Sequence, residues 1–178
     1  LDITKEHHLP PAKNQLHERR NERLYHQVKL SPDGKFVAYS ENYRGWYRVW
    51  VEPTVKDGKR AKAFKGGHYV INQKINQEIP LLDWQNDTRL AILHRQNGKL
   101  YMAFYDTDTE EETRIDFNFF DNITHFTFDN KGANIVLSAE QNGQTDIYTY
   151  DMRRGKVQQR TKDAFDDLDP CFADNDQR

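Results

Sequence analysis

The chain has 178 residues, a net charge of −2, 30% charged residues and 12% aromatics. With a pI near 6.4 it offers nucleic acid no broad basic field, and it holds no run of about 18 apolar residues to cross a membrane as a helix. Low net charge and many Phe, Tyr and Trp side chains argue for a folded core rather than disorder, and the length suits one domain or a piece of a larger one.

Residues 1–23 read as a polar lead-in or linker. Pro10-Pro11 bars a helix through it, and His17-Glu18-Arg19-Arg20-Asn21-Glu22-Arg23 is mostly charged. From Leu24 the pattern is strand, turn, strand. Tyr25 to Leu30 is strand-like. Ser31-Pro32-Asp33-Gly34 is a turn: Pro presets φ, Asp bonds its own backbone, and Gly accepts positive φ. Phe36 to Ser40 alternates, Asn42 to Gly45 turns, and Trp46 to Val51 alternates aromatic and polar residues. Lys56-Asp57-Gly58-Lys59 turns again, and Ala61 to Phe64 is a fourth strand. Gly66 to Gln77 reads as a loop insertion. The same order then returns twice. Ile79 to Trp84, Arg89 to His94, Lys99 to Tyr105 and Thr113 to Phe117 form a second unit. Ile123 to Phe128, Asn134 to Ala139, Asp146 to Tyr150 and Lys156 to Thr161 form a third.

Placed in register, Leu30 to Ser40, Trp84 to His94 and Phe128 to Ser138 align, and a fourth start runs from Phe172 to Arg178. The anchors Leu30, Trp84, Phe128 and Phe172 are 54, 44 and 44 residues apart. A period near 44 with four strands per unit is the pattern of propeller blades. A helical solenoid would need a 3.6-residue spacing that is missing; a β-sandwich is the competing architecture, since its turns recur every ~8–12 residues. The fold class is therefore all-β: a partial β-propeller over 24–178, with blades at about 24–66, 78–117 and 122–161 and a stub at 165–178. Three units and a stub do not close a ring of roughly 4–8 blades. The expectation is a piece of a longer chain, with the remaining blades supplied by the same polypeptide or by another copy. A start at Leu1 without a signal peptide agrees with an internal segment or a removed signal.

The segment Ser31-Pro32-Asp33-Gly34-Lys35-Phe36-Val37-Ala38-Tyr39-Ser40 resembles the Pro-Asp-containing, WD40-like repeat of TolB-type β-propellers. Gly143-Gln144-Thr145-Asp146-Ile147-Tyr148-Thr149-Tyr150-Asp151 resembles that repeat's Asp-Ile-Tyr strand, and Gln159-Arg160-Thr161 its closing strand. Asp166-Asp167-Leu168-Asp169-Pro170-Cys171-Phe172 resembles the lead into a following blade. The likeness covers Leu24 to Arg178. Two copies depart from it, with Gln85-Asn86-Asp87-Thr88 and Asp129-Asn130-Lys131-Gly132 where Ser-Pro-Asp-Gly stands in the first; the Asn, Asp and Gly turn chemistry persists. The repeat occurs in TolB, in propellers attached to prolyl-oligopeptidase-like and tricorn-like proteases, and in large bacterial cell-envelope proteins. The resemblance thus implies a propeller in the periplasm or cell envelope.

The residues offer little catalytic chemistry. The histidines His7, His8, His17, His26, His68, His94 and His125 form no His-x-x-x-His pair, and His17-Glu18 lacks the closing His of a zinc-protease motif. Asp163, Asp166, Asp167, Asp169, Asp174 and Asp176 are an oxygen-rich cluster that could hold calcium, but without EF-hand spacing; turn formation explains them more simply. No Gly-x-Ser-x-Gly elbow exists. The single Cys171 excludes an internal disulfide and reads as a small buried residue of a blade core. No metal or cofactor site is assigned. Arg44, Trp46, Tyr47 and Arg48 are the candidate partner-binding residues, because Arg, Trp and Tyr dominate interaction hot spots; strand alternation sends half of them inward. Three functions follow: a non-catalytic scaffold holding a protein or peptide partner on one rim, the propeller of a larger peptidase gating substrate access, and a sugar-binding module stacking on Trp46, Trp50 or Trp84.

Overall fold

A computed structural model describes residues 23–43, 46–55, 58–68, 79–96 and 98–173. The lead-in at 1–22, the turn residues 44–45 and 56–57, most of the expected loop insertion and residues 174–178 of the stub lie outside these. Among the described residues there are twelve strands and no helix, so no helix is long and apolar enough to cross a membrane. The first unit holds β1 (Arg23–Leu30), β2 (Phe36–Tyr43), β3 (Trp46–Pro53) and β4 (Ala61–His68). The second holds β5 (Leu81–Trp84), β6 (Arg89–Gln96), β7 (Lys99–Asp106) and β8 (Glu112–Asp116). The third holds β9 (Asn122–Phe128), β10 (Asn134–Gln141), β11 (Gln144–Asp151) and β12 (Lys156–Gln159). Each unit is one antiparallel sheet with its strands in chain order. β4 runs on to His68, through two glycines that the sequence placed in a loop, because its partner strand begins at Trp46 and pairs that far.

One device makes the turns at one end of the sheets. An Asp or Asn side chain accepts backbone N–H groups two to four residues on, which substitutes for a turn of backbone hydrogen bonds. Asp33 Oδ1 accepts from Lys35 N at 3.1 Å, Asn86 Oδ1 from Arg89 N at 2.8 Å, and Asp129 Oδ1 from Ala133 N at 2.7 Å. Asp106 and Asp151 do the same in the outer turns. Asp33 also accepts from Ser31 Oγ at 2.8 Å, and Lys35 Nζ stands 2.9 Å from its other oxygen. The hydrogen bond from Lys35 is the main reason its carboxyl is lowered to about 2. Its work is turn formation.

The first strands of the three units lie side by side, β5 between β1 and β9. The sheets therefore radiate from a common axis and stack face to face, which is propeller geometry. Strand alternation divides each sheet between two interfaces. Leu90, Ile92, Ala103 and Tyr105 turn to the first sheet, where Ala38, Val49 and Val51 meet them. Ala91, Leu93, Leu100, Met102 and Phe104 turn to the third, against Phe126, Ile135, Leu137, Tyr148 and Tyr150. The middle sheet is thus covered on both faces, and Leu90 through His94 are buried without a break. Each such aliphatic side chain withdraws enough apolar surface to contribute ~1.5–3 kcal/mol.

His94 is the polar member of that run. Its ring lies 4.3 Å from the Phe64 ring and 5.8 Å from that of Tyr101. Burial is the main reason its pKa falls from 6.5 to about 4, with the nearby Arg114 charge pushing the same way. An unfolded imidazole takes its proton near 6.5 and the folded one only near 4, so between these values the unfolded state binds more protons. Stability is therefore full above pH 6.5 and drains as pH falls toward 4, by about 2–3 kcal/mol from this residue. Urea titrations at pH 7 and pH 4.5 should show the His94→Phe variant losing less stability than the parent over that interval. An equal loss in both proteins would refute the assignment.

Candidate functional site

In an antiparallel meander the turns sort strictly by end. The β1–β2, β3–β4, β5–β6, β7–β8, β9–β10 and β11–β12 turns share one end. The β2–β3, β6–β7 and β10–β11 hairpins and the links between sheets share the other. Of the candidate residues, Trp46 stands at the hairpin-rim end of β3. Arg44 lies outside the described residues, and Trp46 is placed only as the first residue of β3. Tyr47 is 1% exposed, with its ring 6.5 Å from His26, so it is withdrawn from any partner. Arg48 lies on the opposite face of β3 with Nη1 3.9 Å from the buried carboxylate of Glu41. Alternation thus sends Tyr47 and Arg48 to opposite faces of β3.

The hairpin rim also offers a cleft between the β6–β7 hairpin and the link that leads to the third sheet. Arg95, Lys99, Leu100, Asn118, Phe120 and Asp121 line a cavity of about 380 Å³. Its parts come from the β6–β7 hairpin and from the link 117–121 between β8 and β9. Arg95 braces it, donating from Nη1 to Gly98 O at 2.9 Å and from Nη2 to Asp121 O. Asn118 Oδ1 accepts from Leu100 N at 3.0 Å, which ties the link to the hairpin. Asp121 spans to the third sheet: its N–H donates to Glu140 O at 2.9 Å, and Oδ2 accepts from Asn142 N at 3.0 Å. Asn142 and Gly143, with φ of 55° and 80°, form the two-residue hairpin turn that this twist favours. Phe117 and Phe120 point inward, but Phe119 between them is 46% exposed. The rim therefore combines two cations, a carboxylate and an exposed aromatic on a fixed frame.

The other sequence candidates separate. Trp84 is 5% exposed and donates Nε1 to Lys29 O at 3.2 Å, so it is shut away from a sugar. Trp50 lies under the Arg60 guanidinium, 4.0 Å from its ring centre. Cys171 is exposed rather than in a blade core, because residues 160–173 join no sheet among the described residues. Asp163 Oδ1 accepts from the nearby Phe165 N, and Asp166 Oδ1 accepts from Thr145 N of β11. Asp174, Asp176, His7, His8 and His17 lie outside the described residues, among which no three His, Cys, Asp or Glu side chains converge as metal ligands.

No family model matches the chain, and neither does any curated protein. Solved structures do. TolB from Acinetobacter baumannii superposes with a TM-score of 0.62 at 16% identity, over 80% of this chain and 33% of that one. AtxE2 isopeptidase in its apo form gives 0.59 at 13% identity, over 75% and 28%. The β-propeller domain of the Trilobed protease from Pyrococcus furiosus gives 0.56 at 13% identity, over 80% and 44%. The chain thus spans between about a quarter and under half of the structures it matches. At these identities the likeness is one of fold, and it agrees with the sheets, the shared axis and the two inter-sheet cores: the chain folds as three consecutive blades of a TolB-like β-propeller.

Proposed function

We propose that these blades are a non-catalytic scaffold of the bacterial cell envelope that presents the hairpin rim to a protein or peptide partner. The observation that carries this is the cleft between the β6–β7 hairpin and the 117–121 link, where Phe119 is exposed. An exposed aromatic on the link whose neighbours Asn118 and Phe120 line a cleft with Arg95 and Lys99 has the composition of an interaction hot spot. The envelope assignment rests on the likeness to TolB. Among the described residues no nucleophile is hydrogen-bonded to a histidine side chain. Peptides selected from a displayed library on the parent chain should bind Phe119→Ala at least about tenfold more weakly, the usual scale of a lost hot-spot aromatic. Stability should fall by only about 1–2 kcal/mol, since the ring is half exposed and packs on Phe117, Phe120 and Tyr150 with its other half. Selected peptides that bind the variant as tightly as the parent would dismiss the rim as the site.

A second reading makes the blades part of the propeller of a larger peptidase, gating substrate access. It is favoured by the isopeptidase and the protease domain among the similar structures. A fluorophosphonate probe that labels a serine of the full-length protein would decide for it.

A further inference from the structure

The first and second sheets meet in two places: β1 lies on β5 at the axis, and β4 lies on β6 at the periphery. The first sheet brings small side chains to the core between them, Ala38, Val49, Val51 and Ala63. The third sheet meets the second with Phe126, Phe128, Leu137, Tyr148 and Tyr150 instead. The smaller set withdraws less apolar surface, so the first seam is held less firmly than the second.

β4 is the outer strand of its sheet, paired with β3 alone. Its register on β3 shifts twice, at Trp46/Tyr47 and at Val49/Trp50, so the ladder that holds it is interrupted. Its hold on the second sheet includes Phe64, whose ring lies 4.3 Å from that of His94. The edge strand thus leans on a titratable side chain of β6. The second seam has an alanine in that place. Leu90 pairs with Trp84 as Ile135 pairs with Phe128, so the counterpart of His94 in the third sheet is Ala139.

The surroundings suit a neutral ring and oppose a charged one. His94 is 7% exposed. Tyr101 of β7 is its cross-strand partner, and the Arg114 guanidinium of β8 already stands 4.9 Å from the Tyr101 ring centre. A proton on His94 would set a second cation beside it. Lys99 lies two residues before Tyr101 on the same face. Asp116, opposite Tyr101 on β8, is exposed to solvent. From the first sheet the seam is faced by Phe64, by His26 of β1 and by Tyr47 of β3, none of them a carboxylate. Burial, with Arg114 pushing the same way, holds the packed ring at about 4, against 6.5 for a free one. Between these values the opened seam binds more protons than the closed one, so opening is promoted as pH falls.

We propose that β4 and His94 form an acid-released latch: protonation drives the imidazole out from beside Phe64, and β4 parts from β6 while the second and third sheets stay joined. A bulged edge strand on a thinly packed seam is the unit that opens at the lowest cost. The latch is independent of the rim cleft and of what binds there.

Hydrogen exchange of the full chain at pH 7 and pH 5, each without urea and in urea below the unfolding transition, reads the opening strand by strand. The two titration values raise the opening constant about twentyfold over that interval. Amides of β4, corrected for the intrinsic rate at each pH, should show that rise with little dependence on urea, the mark of a local opening. Amides of β10 should exchange more slowly at both pH values and depend steeply on urea. His94→Phe and His94→Gln should each abolish the rise in β4, and His26→Gln should leave it. One urea dependence shared by β4 and β10, no rise in β4, a rise that survives both His94 variants, or its loss in His26→Gln would overturn the proposal.

Discussion

Gly132→Ala should destabilise the chain by about 3 kcal/mol or more, while Gly34→Ala, at the matching turn of the first blade, should cost only about 1–2 kcal/mol. Both glycines hold positive φ, 62° and 73°. A methyl group at Gly34 would meet nothing within 4 Å, so only the left-handed backbone is penalised. At Gly132 the same methyl would stand 2.3 Å from the Gln85 carbonyl oxygen. That oxygen is backbone in the β5–β6 turn, and Gln85 Nε2 donates to Gly132 O at 2.9 Å, so the two turns are locked together. Relief of the clash must part the second and third blades near the axis. Urea midpoints of the two variants measure the difference. Equal costs would mean that the turns move apart freely and that this joint carries no strain.

The contrast shows where sequence reasoning reaches and where it stops. Turn chemistry is local: Asp or Asn, then Gly or Thr, then an alternating run. That is why β2, β3, β4, β6, β7, β10 and β12 begin at the residues the pattern named, Phe36, Trp46, Ala61, Arg89, Lys99, Asn134 and Lys156. Strand ends on the hairpin rim ran two or three residues longer than expected, since Glu41 to Tyr43 and Arg95 to Gln96 are polar but still paired. The face a residue takes was harder. A sheet buried on both sides loses the polar half of its alternation, so nothing local marks Tyr47 as interior. Phe119 is the same difficulty reversed: in Phe117-Asn118-Phe119-Phe120 only contacts with Leu100 and the third blade decide which ring stays outside. The rim cleft joins residues about twenty apart, in one hairpin and one inter-sheet link, and that proximity is a product of the tertiary fold, which carries no sequence signal of its own.

Asp83→Ala should cost about 2–4 kcal/mol, and Asp83→Asn clearly less, because Asp83 is where three blades meet. It sits on β5, between β1 and β9. Its Oδ2 accepts from Thr127 Oγ1 at 2.8 Å and from Phe128 N at 3.0 Å, both in β9. Its Oδ1 lies 3.6 Å from Lys29 Nζ in β1. The neighbouring Trp84 donates to Lys29 O, so two consecutive residues of the middle blade hold the first. Removal of the carboxylate leaves the Phe128 N–H and the Thr127 hydroxyl without acceptor, and each lost bond costs about 1–2 kcal/mol in a half-buried setting. An Asn amide oxygen can still accept both, so Asn separates the hydrogen bonds from the charge. The ion pair with Lys29 is partly solvated and adds at most about 1 kcal/mol. The predicted order of stability is Asp, then Asn, then Ala. Matching losses for Asn and Ala would place the whole effect in the charge and would remove Asp83 as the hydrogen-bonded joint of the axis.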